Sequence, residues 1–409
     1  MDHWLRAIIE DRVDPETFHR DFPWAEAMIG CPHDPFYHAE GDPWVHTCLV
    51  VEALRADPEY RALSDERREI LRIAAWMHDI AKPATTEEYF CEEQKRDRVS
   101  QPGHAPLGAA MSWQGLIDAG YDVRSARDVS ALVFWHQRPS FLLNENSAMK
   151  RAIMYSIDAG RGNWDELLIL CKNDQRGRSS PNTEETIELL ELTGMAIEEM
   201  GENINCDLRH EAWPFETDEA RMRYLRGPNT ASAFFMPETP TRGHMILMSG
   251  LPGAGKDTFI REKMPGIPVV SLDDIRGQMD VGWKDKQGQV IQAGLEAARV
   301  HLRAGDTFIW NATALSRQLR QKIIGLARDY DAVVEAVSLD IPFDEVLRRN
   351  KSRGDRAVPD AVMDKLSRKR DAIVSNEVHA VWSVNPNMET ELVLGASDLF
   401  EVGTPHLDL

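Results

Sequence analysis

The chain has 409 residues, 43% of them apolar and 28% charged, with a net charge of −20 at neutral pH. That length exceeds one ordinary hydrophobic core and suits two domains, and so acidic a balance excludes general attraction to nucleic acid, leaving any such contact to local basic patches. Cys31, Cys48, Cys91, Cys171 and Cys206 are odd in number and never spaced C-x-x-C, which excludes a disulfide framework or a cysteine zinc site and reads as buried small hydrophobes in a reducing compartment.

The opening stretch "MDHWLRAIIEDRVD" lacks a signal-peptide core, and no apolar run is long enough to span a bilayer. A cytoplasmic protein with no membrane partner is expected. Residues 1–201 read as an all-α domain, because "HTCLVVEALRA", "EILRIAAWMHDIA", "VSALVFWHQ" and "WDELLILCKND" carry apolar residues at three- and four-residue spacing. The stretch "PNTEETIELLELTGMAIEEMG" predicts an amphipathic helix, capped by Asn182 and stopped by Gly201.

Histidines fall beside these helices. "VHT" puts His46 near a helix start, "WMHDIAKP" puts His78 and Asp79 near a helix end, and His104, His136 and Asp174 follow in "QPGHAPLGA", "VFWHQRP" and "CKNDQRGR". A helical core that gathers four imidazoles and two carboxylates suits a transition metal such as Mn, Fe, Co, Ni or Zn. Asp79 can bridge two ions, and a two-metal site can orient water for attack on phosphorus. Any one of these histidines alone reads as a hydrogen-bonded core residue. The whole order H…HD…H…H…D carries the signal.

Residues 202–243 read as a Pro-rich connector with one helix in "TDEARMRYLR". From 244 to 409 short apolar runs ("HMILMSG", "IPVVSL", "DTFIWNA", "AVVEAVSLD") alternate with helical segments, which predicts an α/β domain with a parallel sheet. The fold class is therefore multidomain, a helical bundle followed by an α/β domain.

The loop "GLPGAGKDT" follows the first of these strands and opens a helix. Gly250, Gly253, Ala254 and Gly255 let backbone N–H groups approach the phosphates of ATP, and Lys256 reaches the terminal ones. Asp257 stands where the pattern wants a hydroxyl, and Thr258 comes one place late. A carboxylate is also a hard oxygen ligand for Mg²⁺, so the metal contact is open between Asp257 and Thr258. In "SLDDIRGQM", Asp273 follows a strand and is placed to take a proton from an attacking hydroxyl, with Arg276 at fork spacing for an acceptor phosphate. The run "DEVLRRNKSRGDRAVP" reads as a phosphate clamp or lid, against a solvated basic face.

From "GLPGAGKDT" through "DDIR" and "WNATALSRQLR" to "LDIPFDEVLRRNKSRGDRAVP", the C-terminal half resembles phage and bacterial 5′-hydroxyl polynucleotide kinases. The resemblance implies that Lys256 contacts the donor phosphates, Asp273 is the general base and Arg276 holds the acceptor-side phosphate. It also implies that Arg353 stabilises the transferring phosphoryl group and Arg349 supports the lid. Asn311 departs from the pattern, which has an aspartate there to meet Arg276.

The N-terminal half resembles the HD phosphohydrolases, and through "DPFYHAEGDPWVHTCLVVEAL…AAWMHDIAKP…GHAPLGAAMS…LVFWHQRPSF…KNDQRGR" it is similar to the HD domain of bacterial CCA-adding tRNA nucleotidyltransferases. That implies one metal on His46, His78, Asp79 and Asp174 and a second on His104, His136 and the shared Asp79. Lys82 would meet a substrate phosphate, with His38 and Glu40 beside the first ligand. Together the halves resemble the bifunctional bacterial HD–polynucleotide kinase family. The implied function is healing of RNA or DNA ends: removal of a 2′,3′-cyclic, 2′- or 3′-phosphate, and ATP-dependent phosphorylation of a 5′-hydroxyl ahead of a ligase. Self-association is left open. The alternatives are an HD nucleotidase fused to a nucleoside or small-metabolite kinase, and a nucleotide-gated RNA-sensing module.

Overall fold

Helix caps define the N-terminal elements. Asp42, Ser64, Asp122 and Asn163 accept backbone N–H groups of Val45, Arg67, Ser125 and Glu166 through their side-chain oxygens, which satisfies donors that a helix start leaves unpaired. The helices they open are Pro43–Ala56, Asp65–Met77, Val123–Trp135 and Trp164–Arg176, and His104–Asp118 packs against them. Trp76, Trp135 and Trp164 lie in the resulting core. The computed structural model describes residues 1–228, 231–235, 242–281, 286–354 and 357–400. The chain divides into two units, Met1–Pro214 and Phe215–Leu409.

The first unit is helical apart from one hairpin, β1 (Glu87–Cys91) paired antiparallel with β2 (Arg96–Ser100). Neither strand buries a face, so the sequence offers no apolar alternation to announce it. The helix predicted from 183 runs Thr183–Asn203, two residues beyond Gly201, and Asn182 occupies its N-cap position without a side-chain capping bond. Gly201 serves close approach rather than termination. A Cβ there would meet the Cys206 carbonyl oxygen at 2.4 Å.

In the second unit, the helix anticipated in the connector is Asp218–Arg226. Six strands follow: β3 (His244–Ser249), β4 (Val269–Ser271), β5 (Thr307–Asn311), β6 (Val333–Leu339), β7 (Ala380–Val384) and β8 (Thr390–Leu394). Their order across the sheet is β4-β5-β3-β6-β7-β8, parallel throughout except for the β7–β8 pair. Alternate residues of β3 feed different cores. Met245 and Leu247 pack with Phe308, Trp310 and Val334, whereas Ile246 and Met248 pack with Phe259, Ile309 and Trp382. Both faces are thus covered, as a parallel sheet requires. The chain leaves β3 between β5 and β6 and crosses β5 to reach β4. The C-terminal end of β3 is therefore a topological switch point, where open α/β sheets bind ligands.

One buried ion pair ties this unit's helix Arg317–Asp329 to the segment ahead of β7. Arg320 is fully buried and donates to both oxygens of Glu377 at 2.9 Å. Removing one partner strands a buried charge. Glu377→Ala should lower unfolding stability by about 3–5 kcal/mol. Replacing the pair together, Arg320→Met with Glu377→Leu, should recover most of that loss in urea denaturation.

Candidate active sites

The N-terminal unit gathers its histidines where helices begin or stop. His78 and His136 are the residues that close the helices Asp65–Met77 and Val123–Trp135, and His104 opens the helix His104–Asp118. His46 and Asp174 come from the two helices that pack across the middle of the unit. All are buried. Asp79 stands at the centre. Its Oδ2 lies 3.1 Å from His78 Nε2 and 3.6 Å from His46 Nε2, while its Oδ1 lies 3.4 Å from His104 Nε2 and 3.9 Å from His136 Nε2. Asp174 Oδ1 adds an oxygen 2.8 Å from His46 Nε2 and 3.7 Å from His78 Nε2.

The far sides of the rings are fixed. The Nδ1 atoms of His78, His104 and His136 each face a backbone carbonyl, of Ala75, Gln101 and Val133, at 2.8, 2.8 and 2.7 Å. His46 Nδ1 faces Glu40 Oε1 at 3.0 Å, and Glu40 Oε2 accepts the Ser179 N–H at 2.8 Å. A proton held on each Nδ1 leaves the Nε2 lone pairs aimed at the centre, the arrangement of metal-binding histidines and their supporting shell.

The donors fit a divalent metal. His78 Nε2 and both Asp79 oxygens are buried without an acceptable hydrogen-bond geometry, although cationic neighbours lie within ion-pair distance. Two ligand groups are formed, His46–His78–Asp79 and Asp79–His104–His136, with donor atoms within 4.8 Å of one another in each. Burial and the neighbouring His104 and His78 push His136 down to about 3, and burial lowers His104 too. Burial opposes charge on Asp79, yet His78 and Lys82 hold its carboxyl well below the ordinary carboxylate range. His78 moves the other way: burial opposes its charge, yet Asp79 and Asp174 beside it raise its pKa. Metal binding takes neutral imidazoles and ionised carboxylates, so an ion there would displace the proton on His78.

Lys82 Nζ lies 2.7 Å from Asp79 Oδ2 and 3.1 Å from His33 Nε2. His33 stacks on His38 with ring centroids 4.0 Å apart, and burial, with Lys82 beside it, drives His33 down to about 2. Arg178 grips Asp174 through Nε at 3.2 Å and Nη2 at 2.5 Å. Neither His33 nor Arg178 was singled out from the sequence. Arg178 had a usable signal, four residues after Asp174 in "KNDQRGR", but His33 had none. A cavity of about 490 Å³ opens onto His136, Asp174 and Arg178.

In the second unit the glycine loop turns at the C-terminal end of β3 and opens the helix Lys256–Lys263. Gly253 (φ 85°) and Gly255 (φ 110°) hold backbone conformations that favour glycine, and a Cβ on Gly255 would meet Met388 Cε at 2.5 Å. Lys256 Nζ donates to the carbonyls of Gly250 and Leu251 at 2.8 and 3.1 Å. Burial pushes its pKa down to about 8, against the pull of nearby Asp257 and Asp273 and with Arg353 adding to the depression. Those four groups therefore share one electrostatic neighbourhood.

Asp273 lies in the first turn of the helix Leu272–Gln278 and pairs with Arg276 three residues on. Asn311 does not meet Arg276. Its amide donates instead to Asp257 Oδ1 at 2.7 Å, because β5 brings Asn311 level with Met248 at the mouth of the loop. Arg349 is tied to Glu345, to the Ala254 carbonyl at 3.0 Å and to the Pro386 carbonyl at 2.9 Å, so it braces the loop from outside. Thr258 is half-buried in the helix's first turn, and Arg353 is half-exposed. Arg356 lies outside the described residues.

The HD domain family model matches residues 45–159 and the AAA domain model matches residues 245–373. The chain is thus of a two-domain class, an HD hydrolase domain joined to a P-loop, kinase-like domain. Among curated proteins it is similar to the Multifunctional CCA protein of Halorhodospira halophila, 26% identical over 182 residues, or 44% of this chain and 40% of that one. The Multifunctional CCA protein of Hahella chejuensis is 26% identical over 176 residues, or 42% and 38%. The chain spans about two fifths of the length of these relatives, and they support the HD part. A solved structure from Chloroflexus aurantiacus, provisionally described as a kinase, is 18% identical, with a TM-score of 0.31 over 36% of this chain and 87% of that one. Among the described residues no helix is long and apolar enough to cross a membrane.

The lowered lysine gives a direct test. Lys256 loses its proton through pH 8 rather than above 10, so its neutral amine becomes abundant first. Competitive acylation followed by peptide mass spectrometry should show Lys256 labelling with a midpoint near pH 8. A midpoint in the ordinary lysine range would remove the depression.

Proposed function

We propose that this protein heals broken nucleic-acid ends. The HD domain removes a 2′,3′-cyclic phosphate, or a 2′- or 3′-phosphate, and the P-loop domain phosphorylates a 5′-hydroxyl from ATP. One observation supports the reading: a single chain carries a buried cluster of imidazoles and carboxylates in one unit and a glycine loop with its lysine in the other. A break that leaves a cyclic phosphate on one side and a 5′-hydroxyl on the other needs both.

In the HD site, His46, His78, Asp79 and Asp174 would hold one divalent ion, and Asp79, His104 and His136 a second. Metal there supplies Lewis acidity toward a phosphoryl oxygen. Lys82 and Arg178 offer cationic N–H groups to the remaining oxygens. Glu40 keeps the His46 ring oriented through Nδ1. In the hydrolysis a water oxygen bonds to phosphorus, one ring P–O bond breaks, and the departing ribose oxygen takes a proton. Opening the ring leaves a monoester, and a second hydrolysis releases phosphate.

In the kinase site, backbone N–H groups of the loop and Lys256 receive the ATP phosphates. Asp257, whose Oδ1 accepts from the Asn311 amide, or Thr258 beside it would hold Mg²⁺. The acceptor 5′-oxygen bonds to the γ-phosphorus as the bond to the β–γ bridging oxygen breaks, and ADP leaves. Asp273 takes the hydroxyl proton. Its neighbour Arg276, three residues on, is the cation available to an acceptor phosphate. Arg353 is the cation available to the transferring phosphoryl group.

Mass spectrometry of one short RNA bearing a 5′-hydroxyl and a 2′,3′-cyclic phosphate tests both halves. With ATP, Mg²⁺ and a transition metal, the 5′ end should gain a phosphate and the other end lose one. Asp79→Ala should lose only the second reaction and Lys256→Ala only the first, each by more than about a hundredfold. Phosphorylation of free nucleosides with no change at either RNA end would instead favour a metabolite kinase fused to a nucleotidase.

Metal content should follow the shared carboxylate. Wild type should bind up to two ions per chain by elemental analysis, His104→Ala about one, and Asp79→Ala fewer than one. Two ions retained in Asp79→Ala would refute the bridging role.

A further inference from the structure

We propose that the groove leading out of the His/Asp cluster seats one nucleotide, the one whose sugar carries the terminal phosphate, with its base stacked against Phe141 and Tyr37. This rests on the phosphoesterase reading above. The groove encloses about 490 Å³, and His136, Asp174 and Arg178 form one end of it. Pockets for small ligands run from roughly 300 to 1,000 Å³, so the space suits a single nucleotide rather than a run of them.

Its aromatic walls are held in place. Phe141 is 59% exposed, although the adjacent Leu142 is buried. Both lie on the short turn Pro139–Asn144, and the buried Thr193 hydroxyl donates to the Pro139 carbonyl at 3.2 Å. Tyr37 is braced in another way. The Arg98 guanidinium lies 5.4 Å from its ring centre and Phe36 meets it edge-on at 4.9 Å, while Arg98 is held by Asp34 at 3.2 Å. Ring faces on fixed supports are the means by which proteins hold unpaired bases, whatever the base.

Charge gives the groove a direction. Arg178, paired with Asp174, belongs to the metal-site end, and Glu185 and Gln137 also line the groove. A phosphodiester would be repelled by Glu185, whereas a base edge can hydrogen-bond to carboxylate and amide alike. The phosphate therefore points toward Asp79 and the base outward. The rest of the strand lies beyond the groove, so recognition is set by the terminal nucleotide.

Two cyclic phosphodiesters test this with the metal-loaded, full-length protein. Adenosine 2′,3′-cyclic phosphate carries a base, and glycerol 1,2-cyclic phosphate has the same five-membered ring without one. Phe141→Ala should lower the ratio of their kcat/KM values on the order of tenfold, and Phe141→Trp should keep it. A binding readout needs no turnover. Fluorescence of 2-aminopurine riboside 3′-phosphate should be quenched by wild type and by Phe141→Trp, and far less by Phe141→Ala. An unchanged ratio with unchanged quenching in Phe141→Ala overturns the groove assignment and leaves the phosphoesterase reading intact. Wild type inert toward both compounds and toward the RNA end overturns the phosphoesterase reading itself.

Discussion

The N-terminal unit is organised around the burial of one carboxylate. Asp79 is almost wholly removed from water, and an isolated anion there would cost many kcal/mol. The chain answers with five groups, four imidazoles shared between the two oxygens and the Lys82 Nζ on one. That requirement explains why the histidines sit at helix ends. A residue closing a helix can turn its side chain inward while its Nδ1 donates to a carbonyl of the last turn, as His78 does to Ala75 and His136 to Val133. The same hydrogen bonds choose the tautomer, so the fold itself sets which nitrogen faces the carboxylate.

The second unit meets the opposite problem, a binding place for anions made largely of backbone. Its solution is topological. The strand order leaves a crevice at the end of β3, and the glycine loop fills it with N–H groups instead of side chains. Lys256 turns back onto two loop carbonyls. Arg349 and the Met388 side chain close around the loop from outside, which explains why Gly255 has no room for a Cβ.

Much of this was legible in the sequence where chemistry and periodicity coincide. The candidate ligands His46, His78, Asp79, His104, His136 and Asp174 each adjoin an apolar helical run, and the helical pattern alone implies that they face inward. Four of the six strands of the sheet were readable as short apolar runs between helices. Strands β7 and β8 were not, because β8 is half-exposed throughout and flanking polar residues blur both. The partner of Asn311 was illegible for another reason. Whether its amide meets Arg276 or Asp257 depends on strand register, which no local pattern encodes. The rings of His33 and Tyr37 belong to a segment without regular structure, and only tertiary contact gives them meaning.

The two sites differ in donor chemistry, and that difference lets them work in one solution. Imidazole nitrogen with carboxylate oxygen favours first-row transition metals, whereas a site of carboxylate and phosphate oxygens suits Mg²⁺, which gives up water reluctantly. On the proposed reading, Asp79 and its histidines would outcompete the loop for a transition metal, and ATP would draw Mg²⁺ to the loop. Under the proposed function, a chain with a net charge of −20 would serve a polyanion because it need not attract the whole strand. Each site needs only enough local positive charge, from Arg178 and Lys82 or from Lys256 and Arg353, to hold one terminal group. If the proposed end-healing function holds, the acidic remainder would oppose lengthwise, sequence-independent binding and concentrate affinity at ends.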